Sequence, residues 1–125
     1  LADHPLSKEY RLRQILRYLE SKYVTPYPVE LSFTRGPLKH EKGATFRYGR
    51  TIQIVVNLKL DMYNALECLV HEFAHAMTWR HERVERATRG HHLDEWGLAY
   101  ARLYTDMYER DEFDETCGAD RSKAF

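Results

Sequence analysis

An α+β domain built around one small sheet is the fold class this 125-residue chain predicts. Three observations carry that expectation. Apolar residues recur at helical spacing in three segments, shorter stretches between them alternate apolar and polar residues, and Gly and Pro punctuate the changes of pattern. The order is an N-terminal helix, three strands forming an antiparallel or mixed sheet, a central helix and a C-terminal helix.

Ser7 caps the first helix, in which Leu12, Ile15, Leu16, Leu19 and Tyr23 follow the i, i+3, i+4, i+7 rule as a stripe suited to covering a sheet. Pro26 and Pro28 are expected to end it. Val29 to Phe33 alternates as a half-buried strand does, and Arg35-Gly36-Pro37 turns the chain. After a polar loop through Gly43, strands from Thr45 to Tyr48 and Thr51 to Asn57 flank Gly49-Arg50, a Gly-x pair suited to a two-residue hairpin. Asp61 is the expected cap of the central helix, which reaches to about Arg80 and buries Met62, Leu66, Leu69, Val70, Phe73 and Met77. His81 to Gly90 is highly charged without an apolar period and reads as a loop. The last helix spans about Leu93 to Glu109, with Leu93, Trp96, Tyr100, Leu103, Tyr104 and Met107 on one side, read as packing rather than substrate binding.

Residues 1–125 are read as one domain, with an ordered core over about 6–108 and an acidic tail over about 109–125. No apolar run approaches the ~20 residues that span a bilayer, which excludes a membrane helix. The sequence shows no secretory signal, and Cys68 and Cys117 form neither a disulfide framework nor a C-x-x-C pair, so a cytoplasmic, reducing location is expected. Net charge is zero but polarised. Residues 1–60 hold 11 Lys/Arg against 5 Asp/Glu, a net +6, and residues 61–125 hold the opposite −6. Arg11, Arg13, Arg17, Arg35, Lys39, Lys42, Arg47 and Arg50 could together meet DNA, although solvated basic faces are the commoner explanation.

The chemistry is concentrated in His71-Glu72-Phe73-Ala74-His75, an H-E-x-x-H pattern inside the central helix. Two imidazoles four residues apart lie about 40° apart around a helix, so both can reach one metal ion. Glu72 lies between them, where its carboxylate can take a proton from a metal-bound water instead of binding the metal. The arrangement suits one catalytic Zn2+ and amide hydrolysis. The bland alternative is two histidines and a glutamate on an ordinary surface helix.

A catalytic zinc site usually has three protein ligands, so one more His, Asp or Glu is required. His81 stands at the metzincin distance, but Thr78 occupies the position where that pattern has the Gly that lets the chain leave the helix. Were the helix to continue, His81 would point about 240° away from His75. Glu82 and Glu85 follow too closely to come from a separate helix, as a gluzincin ligand would. His91 and His92 stand after Gly90 at the entrance to the last helix, where a loop can fold back over the motif.

With Gly90-His91-His92-Leu93-Asp94-Glu95-Trp96-Gly97 added to H-E-x-x-H, the chain resembles the SprT-like (Spartan-type) zinc metalloproteases. Their pattern continues from H-E-x-x-H through a loop to a segment like H-G-P-E-W/F, whose His is the third ligand. Matching Glu95-Trp96 to the family's Glu-aromatic pair places His92 at that position, with His91 one residue out of register. Leu93-Asp94 stands where the family commonly has Gly-Pro. The resemblance covers most of residues 6–108 and implies a small zincin-like core. It also implies His71, His75 and His92 as metal ligands and Glu72 as the catalytic base.

Two isolated cysteines cannot form the zinc ribbon that many members carry, so the chain looks like a minimal core of the kind found in bacteria and their phages. The resemblance implies a metalloendopeptidase acting on proteins bound or crosslinked to DNA. Tyr100, Tyr104, Tyr48 and Arg47 are candidate oxyanion stabilisers. A different class of function stands beside it, a non-catalytic zinc-stabilised module that binds DNA or protein. Glu72 argues against that class, because a structural zinc site has no use for a general base and is usually closed by four ligands.

Overall fold

The computed structural model of the protein describes residues 7–36, 42–79 and 94–109. The chain runs through α1 (Lys8–Lys22), β1 (Val29–Thr34), β2 (Gly43–Tyr48), β3 (Thr51–Asn57), α2 (Met62–Met77) and α3 (Asp94–Glu109). The segment from His81 to Gly90 and the acidic tail lie outside the described residues.

Helix α1 starts where Ser7 turns extended and its side chain accepts from the Tyr10 N–H at 3.0 Å, a cap worth about 1 kcal/mol. Leu12, Ile15, Leu16 and Leu19 are buried, as their spacing requires. The helix ends ahead of both prolines. Tyr23 already takes φ −122° and ψ 140°, and its buried side chain donates its hydroxyl to Asp106 Oδ2 at 2.7 Å. The cap residue thus carries a tertiary anchor three residues before Pro26.

The sheet has the order β1-β3-β2 and is mixed. Gly49, at φ 63°, supplies the positive φ required at the first central position of a two-residue hairpin turn, and Tyr48 faces Thr51 across it. β1 pairs parallel with the other side of β3, from Val29 opposite Ile52 to Thr34 opposite Asn57, which leaves β2 as an edge. Alternation then sorts the faces. Val29, Leu31, Ile52, Ile54 and Val56 enter the core, whereas Glu30, Ser32, Phe46 and Tyr48 are exposed on the opposite face.

Gly43 belongs to β2 and not to the preceding loop, pairing with Val56. A Cβ at this position would collide with Cys68 Sγ and lie 2.6 Å from the Val55 carbonyl oxygen. Backbone thus passes close against α2, a reason for glycine that is independent of turn formation.

Asp61 caps α2 by accepting from the Asn64 N–H at 2.8 Å. Leu66, Leu69, Val70 and Phe73 are fully buried beneath it. The helix ends at Met77, short of Arg80, because Thr78 leaves helical geometry (φ −107°, ψ 22°) and its hydroxyl donates back to the Ala74 carbonyl at 2.9 Å. Helix α3 packs on α2 through buried Ala99, Leu103 and Met107. Its far end is tied to α1, where Asp106 Oδ2 accepts from Tyr18 at 2.9 Å and Tyr23 at 2.7 Å and meets Lys22 Nζ at 2.9 Å. Among the described residues no helix is long and apolar enough to cross a membrane.

Candidate active site

The middle of α2 carries the motif, and the core stripe Leu66, Leu69, Val70 and Phe73 fixes which way it faces. His71 and His75 are half-buried beside that stripe, while Glu72 is only 8% exposed and turns toward β2. The imidazole centroids lie 5.2 Å apart with their planes at 61°. Zinc–nitrogen bonds of about 2.0–2.1 Å place each centroid about 3.2 Å from a metal, and a tetrahedral angle then separates the centroids by about 5.2 Å. The centroid separation of the pair matches that spacing.

Glu72 is held from the sheet side. Thr45 Oγ1 donates a short hydrogen bond to Glu72 Oε1 and also lies 3.2 Å from the Glu72 main-chain oxygen. The carboxylate thus meets a hydroxyl from a strand 27 positions away, a contact that no local pattern announces. Cys68, one turn earlier, is buried, and its thiol is pushed up to about 12 by burial and then by the Glu72 charge. It stays protonated at neutral pH and is unsuited to be a nucleophile or a ligand in that form.

A cleft of about 530 Å³ opens against these groups, lined by Lys42, Gly43, Asn64, Glu67, Cys68, His71, Glu72 and Tyr100. It lies between edge strand β2, helix α2 and helix α3. The aromatic side of α3 packs against the motif. Tyr100 lines the cleft with its ring 5.8 Å from His71, and Trp96 lies 5.0 Å from His71 and 5.4 Å from His75. Burial, then the charge of Glu67 and the neighbouring Tyr63, pushes the Tyr100 phenol up to about 12, so it remains a hydrogen-bond donor at neutral pH.

The other oxyanion candidates are placed differently. Tyr104 stands behind Tyr100, its hydroxyl 3.3 Å from that of Tyr63 and 3.4 Å from Glu67 Oε2. Tyr48 is 77% exposed at the hairpin, and Arg47 lies over the Tyr27 ring at 5.2 Å. Of the basic residues, Arg13 donates to the Leu31 carbonyl, Arg35 pairs with Glu9, and Lys42 reaches the cleft. Arg17 and Arg50 are exposed, and Lys39 lies outside the described residues.

Among the described residues, no group of three or more His, Cys, Asp or Glu side chains is arranged to hold a metal. The third-ligand candidates His81, Glu82, Glu85, His91 and His92 all lie outside them. The geometric objection to His81 requires the helix to continue past Thr78; because α2 ends at Met77, that objection lapses. Sequence reasoning missed Thr45, Gly43 and Cys68 as parts of the site. Comparison with known protein families, with curated proteins and with solved structures finds no match.

Proposed function

We propose that the chain is a zinc-dependent endopeptidase of the SprT-like kind, hydrolysing peptide bonds of proteins bound or crosslinked to DNA. One observation carries the catalytic part. Two imidazoles at the separation one tetrahedral ion requires stand beside a buried carboxylate, on the wall of a cleft that borders an edge strand.

In this reading His71, His75 and, through the family resemblance, His92 hold the metal. When bound, zinc supplies a Lewis acid that brings the pKa of water near 7. Glu72 accepts a proton from the attacking water on its carboxylate and delivers it to the leaving amine. Thr45 keeps that carboxylate oriented through its hydroxyl. The Tyr100 hydroxyl, protonated at working pH, donates to the carbonyl oxygen as negative charge develops there. The open edge of β2 pairs with an extended substrate through backbone hydrogen bonds, which makes cleavage tolerant of sequence. DNA is the macromolecular partner implied by the resemblance, with the basic N-terminal half as its contact.

The test is degradation of a DNA-binding protein by the zinc-loaded chain, with and without single-stranded DNA. Cleavage by the wild type and its loss in Glu72→Gln are expected. Undiminished cleavage by that variant would overturn the role of Glu72. A wild type that holds zinc but cleaves nothing would favour the binding-module reading.

A further inference from the structure

We propose that Trp96 is a positioning residue for the metal-ligating pair, one indole on α3 that holds both imidazoles of α2 in ligating rotamers. The inference rests on the metal-site reading above. His71 and His75 are half-buried where α2 faces α3, and a histidine ring turns broadly about its second side-chain torsion unless something constrains it. Ligation requires both rings to hold one orientation at the same time. The Trp96 ring meets His71 edge-to-face at 5.0 Å and 62° and lies tilted against His75 at 5.4 Å and 33°. Its Nε1–H donates to the His71 carbonyl at 3.4 Å.

The indole is itself constrained. Tyr100 stacks on it at 5.0 Å with only 10° between the planes, and the Asp106 cluster anchors the other end of α3 to α1. An indole that merely fills space would stabilise the fold without influencing metal affinity.

The experiment compares the full-length wild type with Trp96→Leu, Trp96→Phe and Met107→Ala. The last variant weakens α3 packing at a buried site not among these ring contacts. Zinc affinity is read by competition with a chromophoric chelator, and the His71 and His75 side-chain rotamers by NMR couplings in metal-free protein. Trp96→Leu should bind zinc about 10–100-fold more weakly, the range seen when partners orienting a ligand are removed, and should show rotamer averaging. Trp96→Phe, which keeps a ring, should recover most of the affinity, and Met107→Ala should lose thermal stability alone. Wild-type affinity and rotamers in Trp96→Leu would overturn this inference alone. Failure of the wild type to bind zinc would overturn the metal-site reading and this inference with it.

Discussion

Replacing Thr45 by valine removes a hydroxyl while nearly preserving side-chain shape, and so isolates the bond that holds Glu72. Because Glu72 is only 8% exposed, water from the cleft can replace the lost donor only in part. A hydrogen bond to a charged group contributes about 1.5–3 kcal/mol, and leaving a buried acceptor short of a donor costs a similar amount. For 125 residues the entropy of unfolding is about 0.26 kcal/mol/K, so the expected fall in Tm is about 6–11 °C. A Gln at position 72 can still accept, but only as a neutral partner worth about 0.5–1.5 kcal/mol. Combining Thr45→Val with Glu72→Gln should therefore give a coupling of about 1 kcal/mol, measured by urea unfolding followed by circular dichroism. Thr45→Ser, which retains the hydroxyl, should recover most of the stability. A Tm for Thr45→Val within about 2 °C of wild type, with strict additivity in the cycle, would refute the proposed hold on Glu72.

Acid should weaken the α1–α3 anchor. Burial by itself would raise the Asp106 carboxyl, but hydrogen bonds from Tyr23, Lys22 and Tyr18 outweigh it and hold the group below the ordinary carboxylate value. A folded pKa below the unfolded one stabilises above the unfolded value, about 3.9, and the gain vanishes as pH falls through the folded value. Asp106→Asn should thus lower Tm above about pH 5 and differ progressively less from wild type below about pH 4; an equal deficit at both would contradict the anchor. In a Cys117→Ser background, Cys68 should alkylate far more slowly folded than in urea, since a thiol near 12 is roughly one part in ten thousand thiolate at pH 8. Similar rates in the two states would show that the thiol is neither buried nor suppressed. Tyr100→Phe should retain zinc but lower kcat by about 10²–10³-fold, the range for losing one oxyanion donor, and an unchanged kcat would remove Tyr100 from the mechanism.

Local order was legible wherever one residue's neighbours in sequence are also its neighbours in space. Ser7 and Asp61 cap helices because their side chains reach an N–H three residues away, and Gly49 makes the hairpin because the first residue of the turn takes a positive φ. His71, Glu72 and His75 share one side of a helix by its period alone, so their juxtaposition was written in the sequence. Helix ends were less legible. Tyr23 leaves α1 where Asp106, 83 positions away, takes its hydroxyl, and a search for prolines cannot register such a partner.

What surrounds the motif was decided by tertiary structure. Periodicity states which residues turn inward but not which inward-facing residues meet. The parallel pairing of β1 with β3 leaves β2 at the edge, bringing Thr45 to Glu72 and pressing the backbone of Gly43 against Cys68. Docking of α3 on α2 turns Trp96 and Tyr100 from residues of an apolar stripe into a wall around the imidazoles. The sequence determined two metal-ligand candidates and a candidate base on one helix, because a helix relates residues by a fixed rotation. Only packing decided what meets that carboxylate and those rings, because contacts between elements depend on how separate surfaces fit together.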